Sequence, residues 1–259
     1  MCDARGMNRG DEMLVVPKDC VLWSHHQPYA EAVLDDYTTV DLDQWNNRLA
    51  RLRIPARVYA TDADGAQIES GVGHIRRGDL EATSTRLDLG PEPTLNRLYL
   101  CAAWLRSHDG RGGLRRFPDV RDPHDTSRPF DMIARALDAC ERVPTLVETG
   151  AFRNWSGWPV APGVGHALMS LYGWAIHGPG PDRPQLLDTY SAASLVRYGW
   201  MVGAGASQFS VRTYARYSNL IHRWAGQAGT KPEIVELWLN RDWQRRLGQP
   251  TLRGEPSLW

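Results

Sequence analysis

The chain has 259 residues, of which 42% are apolar, and these include 11 tryptophans. That is enough apolar material for a substantial core, either in one large domain or in two lobes that share a cleft. Basic and acidic residues both number 30. The composition therefore excludes a molecule that is basic as a whole, and any nucleic-acid surface has to be a local patch.

The four cysteines stand at positions 2, 20, 101 and 140, too far apart in the chain to form a paired ligand motif. This pattern predicts no metal site, no iron–sulfur cluster and free thiols that are mostly buried. No apolar run approaches the length of a membrane span, and no secretion signal is visible. We therefore expect a soluble, cytoplasmic monomer that does not associate with a membrane.

The predicted elements begin after a flexible tail of residues 1–17, in which charged residues and glycines follow no period. Residues 18–75 are predicted to hold an N-terminal helix and a small β element. Apolar residues recur at helical spacing between residues 30 and 52, which predicts one or two helices there.

The β element is predicted from two short segments, residues 57–61 and 66–69, that flank the turn sequence Asp62-Ala-Asp-Gly65. The following tetrapeptide Gly71-Val-Gly-His74 has no proline before it and is followed by charged residues. It is interpreted as a structural turn.

Residues 76–259 are predicted to be a helical region. Apolar residues recur there at spacings of three and four, with helix-start and helix-stop residues at the ends of the segments. The predicted helices cover residues 80–87, 94–108, 130–142, 190–198, 210–226 and 231–247. The fold class predicted from these elements is mainly α, a helical protein of two lobes with a small β element near the N-terminus.

A glycine-rich loop at residues 107–118 carries Arg111, Arg115 and Arg116. Two interpretations are open for this loop. It is either a solvated surface loop, or a loop whose guanidinium groups pair with phosphates or with a base.

The sequence Trp158-Pro-Val-Ala-Pro-Gly-Val-Gly-His166 predicts a tight turn that opens a helix. Gly163 and Gly165 can adopt positive φ angles, and Val164 is the buried side chain of the turn. The first N–H groups of the helix and the positive end of its dipole then point outward, where a phosphate can bind. His166, in the first helical turn, is either a phosphate donor or an ordinary surface histidine.

An aspartate follows this motif after about twenty residues. Asp188 comes directly after the apolar pair Leu186-Leu187 and begins a predicted helix over residues 188–198. Two roles are open for it. It is an N-cap, or it is a carboxylate that stabilises the positive charge that develops on a sugar when an N-glycosidic bond breaks.

The Pro-Gly-Val-Gly turn and the Leu-Leu-Asp that follows resemble the helix-hairpin-helix (HhH-GPD) DNA glycosylases, and most closely the bacterial proteins with an 8-oxoguanine DNA glycosylase fold. The resemblance covers roughly residues 75–247. It implies a DNA-binding hairpin at about residues 150–177, where Gly163, Val164, Gly165 and His166 contact duplex DNA, and it leaves room for a structural monovalent cation. It also implies that Asp188 lies beneath a base flipped out of the duplex.

The same resemblance places the arginine loop in the minor groove, in the gap left by the flipped base. A pocket for that base is expected near Trp155, Trp158 and Tyr172.

This chain departs from the bifunctional members of the superfamily, which attack the sugar with a lysine of the hairpin helix. Ala167 or Met169 stands at the matching position, depending on the spacing used, and residues 160–197 contain no lysine. The resemblance therefore implies a monofunctional glycosylase that uses water. Two other hypotheses stay open, a non-catalytic helix-hairpin-helix module that binds DNA or a protein, and an enzyme that acts on free nucleosides.

Overall fold

The computed structural model describes residues 9–108, 116–142, 158, 163–200 and 210–248. The α-helices are α1 (Arg9–Glu12), α2 (Lys18–Ser24), α3 (Leu42–Arg51), α4 (Pro93–Ser107), α5 (Asp131–Arg142), α6 (His166–Ile176), α7 (Thr189–Arg197), α8 (Val211–Ala228) and α9 (Pro232–Leu247). A π-helical turn spans Ala30–Leu34 and a 3₁₀ helix spans Arg77–Leu80. The strands are β1 (Tyr37–Asp41), β2 (Ala60–Thr61), β3 (Gln67–Ile68) and β4 (Val72–Arg76).

The predicted fold class is confirmed, since the protein is mainly helical and its small sheet lies near the N-terminus. None of the helices in the described ranges combines the length and the apolar character needed to cross a membrane.

The sheet is antiparallel, with the strand order β1-β4-β2-β3. The predicted turn at Asp62–Gly65 is confirmed, and its flanking strands are shorter than predicted. The helix predicted within residues 30–52 is confirmed as α3, with Asp41 as its N-cap. β1 is not among the predicted elements, and the interpretation of residues 71–74 as a turn is wrong, because residues 72–74 belong to β4. Both differences have one cause, because β1 and β4 form through their pairing with each other across about thirty residues.

The helices predicted at 94–108, 130–142, 190–198, 210–226 and 231–247 are confirmed as α4, α5, α7, α8 and α9, with small shifts at their ends. The prediction of a helix at residues 80–87 is wrong, because the 3₁₀ helix ends at Leu80 and residues 81–87 are irregular. The backbone of this segment bonds to other elements instead. The N–H of Ala82 donates to the carbonyl of Ala175 at 2.7 Å, and Arg97 donates to the carbonyl of Leu80 at 2.8 Å.

The N-terminal segment from residue 9 onward packs against α8, which differs from the flexible tail expected for residues 1–17. The Asp11 carboxylate accepts two hydrogen bonds from the guanidinium of Arg216, at 2.6 and 2.8 Å. The indole N–H of Trp224 donates to the carbonyl of Leu14 at 3.0 Å. Residues 1–8 lie outside the described part of the chain.

Helices α4 and α6 form the centre of the core. Residues 98–105 of α4 and 168–175 of α6 are buried without interruption, so both helices are covered on all sides. Helices α7 and α9 pack against each other beside this pair. Because the glycine turn leads directly into α6 and Asp188 leads directly into α7, the core itself determines where those residues lie.

A network of buried charges connects the sheet to α6 and α9. Arg77 donates to Glu236 at 2.7 Å with both side chains completely buried. Arg183 pairs with Glu233 at 3.3 Å, and the indole N–H of Trp174 donates to the same Glu233 at 3.0 Å. The guanidinium carbons of Arg77 and Arg183 lie 4.5 and 4.0 Å from the centre of the Trp174 ring.

Candidate functional site

The turn that opens α6 packs tightly on the segment after the arginine loop. Gly163 has a φ of +76°, and a β-carbon on it would lie 2.6 Å from the Cα of Pro118 and 2.9 Å from the carbonyl oxygen of Phe117. Two features therefore require glycine at this position, namely the positive φ angle and the close approach of the backbone at residues 117–118. Val164 is buried, as predicted from the sequence.

The first residue before α6 is Gly165, which is exposed and has an extended backbone. No described side chain caps the helix there, and no atom of the described residues would lie within 4 Å of a β-carbon on Gly165. The start of α6 therefore offers backbone N–H groups and the positive end of a helix dipole at an open surface, an arrangement suited to a phosphate group.

His166 is half-buried in the first turn of α6. Burial lowers the pKa of His166 from 6.5 to about 4, and the nearby Asp188 carboxylate opposes this effect. The side chain is therefore a neutral imidazole at pH 7. It contributes no positive charge at the start of α6.

Asp188 is completely buried at the start of α7. One carboxylate oxygen accepts a hydrogen bond from the backbone N–H of Ser191 at 2.7 Å, so the predicted N-cap is present. The other oxygen accepts from the side-chain amide of Asn240 at 2.8 Å. The backbone just before it is fixed to α6, because the N–H of Leu187 donates to the hydroxyl of Ser170 at 3.0 Å.

Asn240 is a residue of the site that the sequence analysis did not find. Its amide nitrogen faces Asp188, and its amide oxygen accepts a hydrogen bond from Gln244 at 2.7 Å. This second bond orients the amide so that it donates to the carboxylate. A signal was present in the sequence, since Glu233, Glu236, Asn240 and Gln244 are spaced by three and four residues and form a polar stripe on α9.

The aromatic residues expected around a base pocket lie on different elements. Trp158 packs edge-on against Tyr214 of α8, with ring centres 5.3 Å apart. Tyr172 is completely buried and donates its hydroxyl to Glu141 of α5 at 3.1 Å. These contacts do not bring the two rings together, and Trp155 lies outside the described residues. The pocket therefore stays a prediction.

Two of the three loop arginines, Arg111 and Arg115, also lie outside the described residues. Arg116 is exposed, and it lines a surface cavity together with Phe117.

Three of the predicted free thiols are confirmed, since Cys20, Cys101 and Cys140 are buried and form no disulfide. Burial raises the pKa of both Cys20 and Cys101 to about 12, so neither is a thiolate nucleophile near neutral pH. In the described part of the chain, no group of three His, Cys, Asp or Glu side chains is arranged to hold a metal ion.

A family model described as "Putative 8-oxoguanine DNA glycosylase OGG-like protein" matches residues 31–240. The chain belongs to this OGG-like family. Searches of curated proteins and of solved structures found no match.

Membership of the OGG-like family identifies the chain as a DNA glycosylase family protein, which agrees at that level with the resemblance seen in the sequence. The match begins before β1, so it includes the small sheet that the resemblance did not cover. It ends at residue 240, so both Asp188 and Asn240 lie within it.

The two glycines of the turn should respond differently to alanine. Gly163→Ala forces a side chain into the left-handed region and against the backbone of Pro118, so we expect it to lower the free energy of unfolding by at least about 2 kcal/mol. In Gly165→Ala the new methyl group meets no described atom, and the φ of −103° is ordinary for alanine. This substitution should change the free energy of unfolding by less than about 0.5 kcal/mol. Urea unfolding of both variants measures the difference. Equal losses would contradict the described turn.

His166 should make stability depend on pH. Its pKa in the folded protein, about 4, is below its ordinary value of 6.5, so the unfolded chain binds a proton first and stability is lost as pH falls from about 6.5 to about 4. The full shift from 6.5 to about 4 corresponds to about 3 kcal/mol.

We expect His166→Gln to lose less stability over this pH range than the unchanged protein, in urea unfolding at several pH values. His124→Gln is the matched control, because His124 is exposed. An identical pH dependence in all three proteins would show that His166 is not held in its neutral form by burial.

Proposed function

We propose that this protein is a monofunctional DNA glycosylase, which flips a modified or damaged base out of duplex DNA and hydrolyses its N-glycosidic bond with the help of Asp188. The observation that carries this proposal is the position of the Asp188 carboxylate. It is buried, held by two N–H donors, and near the start of α6, where a DNA phosphate can bind. Family membership supports the reaction class.

The carboxylate acts through its charge. As the glycosidic bond breaks, the base leaves with the bonding electrons and the sugar gains positive charge at C1′. A carboxylate that already points to that position stabilises the charge without any reorganisation. Water then supplies a hydroxyl group to C1′, and its proton goes to the departing base. The N–H donors of Ser191 and Asn240 keep the negative charge of Asp188 in place throughout.

The DNA backbone would be held at the start of α6. Gly165 is exposed and has no side chain, so a phosphate can approach the first N–H groups of the helix directly. His166 lies in the first turn of α6, close enough to Asp188 for the carboxylate to affect its pKa. The sugar of a flipped nucleotide would reach the carboxylate from this side.

The positions of the lysines support hydrolysis by water rather than attack by an amine. The chain contains only Lys18 and Lys231. Lys231 directly precedes α9, nine residues before Asn240, which corresponds to about 14 Å along the helix. No lysine of α6 is available to form a Schiff base with the sugar, since α6 contains none.

A non-catalytic DNA-binding module is the second candidate, and one observation favours it. Both oxygens of Asp188 already serve the fold, one as the cap of α7 and one as the partner of Asn240. A residue with only these duties would have the same contacts. The two candidates therefore differ in what happens when the charge is moved and the hydrogen bonds are kept.

The binding part of the proposal predicts that Gly165→Leu folds normally and weakens the affinity for duplex DNA. The leucine side chain would cover the N–H groups at the start of α6, so the loss should be similar for every sequence, as is typical of a phosphate contact. Fluorescence anisotropy with several unrelated duplexes measures it, with Gly165→Ala as the matched control. Unchanged affinity in the leucine variant would exclude the α6 start as the phosphate site.

The catalytic part is tested by exchanging two side chains. Asp188→Asn removes the charge and places two amide donors face to face, while the double variant Asp188→Asn/Asn240→Asp restores an amide-to-carboxylate hydrogen bond with the charge on α9. We expect the double variant to regain stability relative to Asp188→Asn. Both variants should bind DNA, and both should release base about 10²- to 10³-fold more slowly than the unchanged protein.

Base release is measured by alkaline strand cleavage over oligonucleotides that carry different modified bases, 8-oxoguanine among them. Borohydride should trap no covalent complex in the same reactions. If Asp188→Asn releases base at the unchanged rate, or if activity returns together with stability in the double variant, Asp188 has only a structural role.

A further inference from the structure

A cavity of about 540 Å³ lies between α3, the end of α4 and the segment that precedes Pro118. We call it the arginine pocket. Its lining residues are Gln44, Trp45, Arg48, Arg51, Arg106, Arg116 and Phe117. The four arginines come from three separate parts of the chain, so the tertiary fold, and not a local run of basic residues, brings them together.

The described lining of the arginine pocket is basic. All four arginine side chains are exposed, and none of the described lining residues is acidic. Within the described chain, neither Arg48 nor Arg51 forms an ion pair. The nearby carboxylate of Asp119 lowers this charge little, because it already pairs with Arg121 at 2.5 Å. The like charges of Arg48 and Arg51 at one cavity repel each other, and an anion bound there would offset this repulsion.

Aromatic side chains hold part of this cluster in place. Trp45 is buried, and its ring centre lies 5.1 Å from that of Phe117. The guanidinium carbon of Arg48 lies 4.8 Å from the centre of the Phe117 ring. Arg48 is therefore oriented before any ligand binds, which reduces the entropy that binding would cost. Guanidinium groups arranged in this way suit phosphate oxygens better than an uncharged base.

The arginine pocket and the start of α6 are built on the same short segment. Phe117 lines the pocket, and its carbonyl oxygen lies 2.9 Å from the β-carbon position of Gly163. The next carbonyl, that of Pro118, accepts a hydrogen bond from the hydroxyl of Tyr99 at 2.7 Å. This contact fixes the segment to α4, so the arginine pocket and the turn that opens α6 are held by the same piece of backbone.

We propose that the arginine pocket binds an internal phosphodiester of the same DNA duplex that the start of α6 holds, and so forms a second anchor for the DNA backbone. The proposal rests on the proposed function, since it takes duplex DNA as the substrate. It gives α3, which lies in the β-containing N-terminal part of the chain, a direct role in DNA binding.

The test compares two double variants that remove the same charge. Arg48→Gln/Arg51→Gln changes the pocket, and Arg128→Gln/Arg135→Gln changes two exposed arginines at α5 that do not line it. Glutamine favours helix and the replaced side chains are exposed, so all proteins should fold, which thermal unfolding checks. Binding to a duplex without 5′-phosphates is measured by anisotropy over a series of salt concentrations.

We expect the pocket variant to bind about tenfold or more weakly at about 0.1 M salt, and the slope of log affinity against log salt to become shallower by about one to two. The control variant should keep nearly the unchanged slope. Equal slopes in the two variants would overturn the proposal. So would a loss that appears only on duplexes with 5′-phosphates, or an unchanged protein that does not bind duplex DNA.

Base release at saturating DNA separates this proposal from the proposed function. The pocket variant should release base at nearly the unchanged rate once the DNA is fully bound, because the pocket does not touch the reacting sugar. Asp188→Asn should show the opposite result, with an unchanged salt slope and slow release. Normal release together with equal slopes would therefore exclude the second anchor and leave the glycosylase assignment intact.

Discussion

The position of α9 depends on buried ion pairs that stack on one tryptophan. Arg77, next to the sheet, and Arg183, between α6 and α7, both contact the Trp174 ring and both pair with glutamates of α9. Breaking such a pair by removing one partner typically costs about 3 to 5 kcal/mol, because it leaves a buried charge alone. A shift of α9 along its axis would therefore break these buried pairs, Arg77–Glu236 and Arg183–Glu233. Asn240 follows Glu236 by one turn, so the same constraint determines where its amide meets Asp188.

Helix α6 connects the two chemical parts of the candidate site. Its first turn presents backbone N–H groups at an open surface, and its second turn carries Ser170, which accepts a hydrogen bond from Leu187. The proposed phosphate site and the Asp188 carboxylate are thus attached to the same buried helix. Since protein cores deform little, the separation between them is set by the fold and not by a mobile loop.

Capping and catalysis make the same demands on Asp188. An N-cap needs a carboxylate that accepts a backbone N–H at the positive end of a helix, and these features also hold a negative charge ready beside a reacting sugar. Contacts alone therefore do not distinguish a cap from a catalytic group. The bond from Asn240 adds a donor that capping does not need, and its orientation by Gln244 is what a site that positions a charge requires.

The sequence by itself determined the features that arise from local patterns. Apolar residues at helical spacing predicted α4, α5, α7, α8 and α9, because a helix buries one stripe of its own residues. The turn with two glycines and the aspartate after Leu187 were readable for a similar reason, since tight turns and caps restrict which residues can stand there. The family resemblance depended on these short motifs.

Only the tertiary structure decided the features that join distant parts of the chain. β1 and β4 form only because they pair with each other. Residues 80–87 form no α-helix, and their backbone instead makes hydrogen bonds to α4 and α6. Asn240 becomes part of the site because α9 packs on α7, and the arginine pocket collects Arg48 and Arg116 from positions almost seventy residues apart. Such groupings produce no periodic pattern of residues in the sequence, because the contacts that stabilise them form only when the chain is folded.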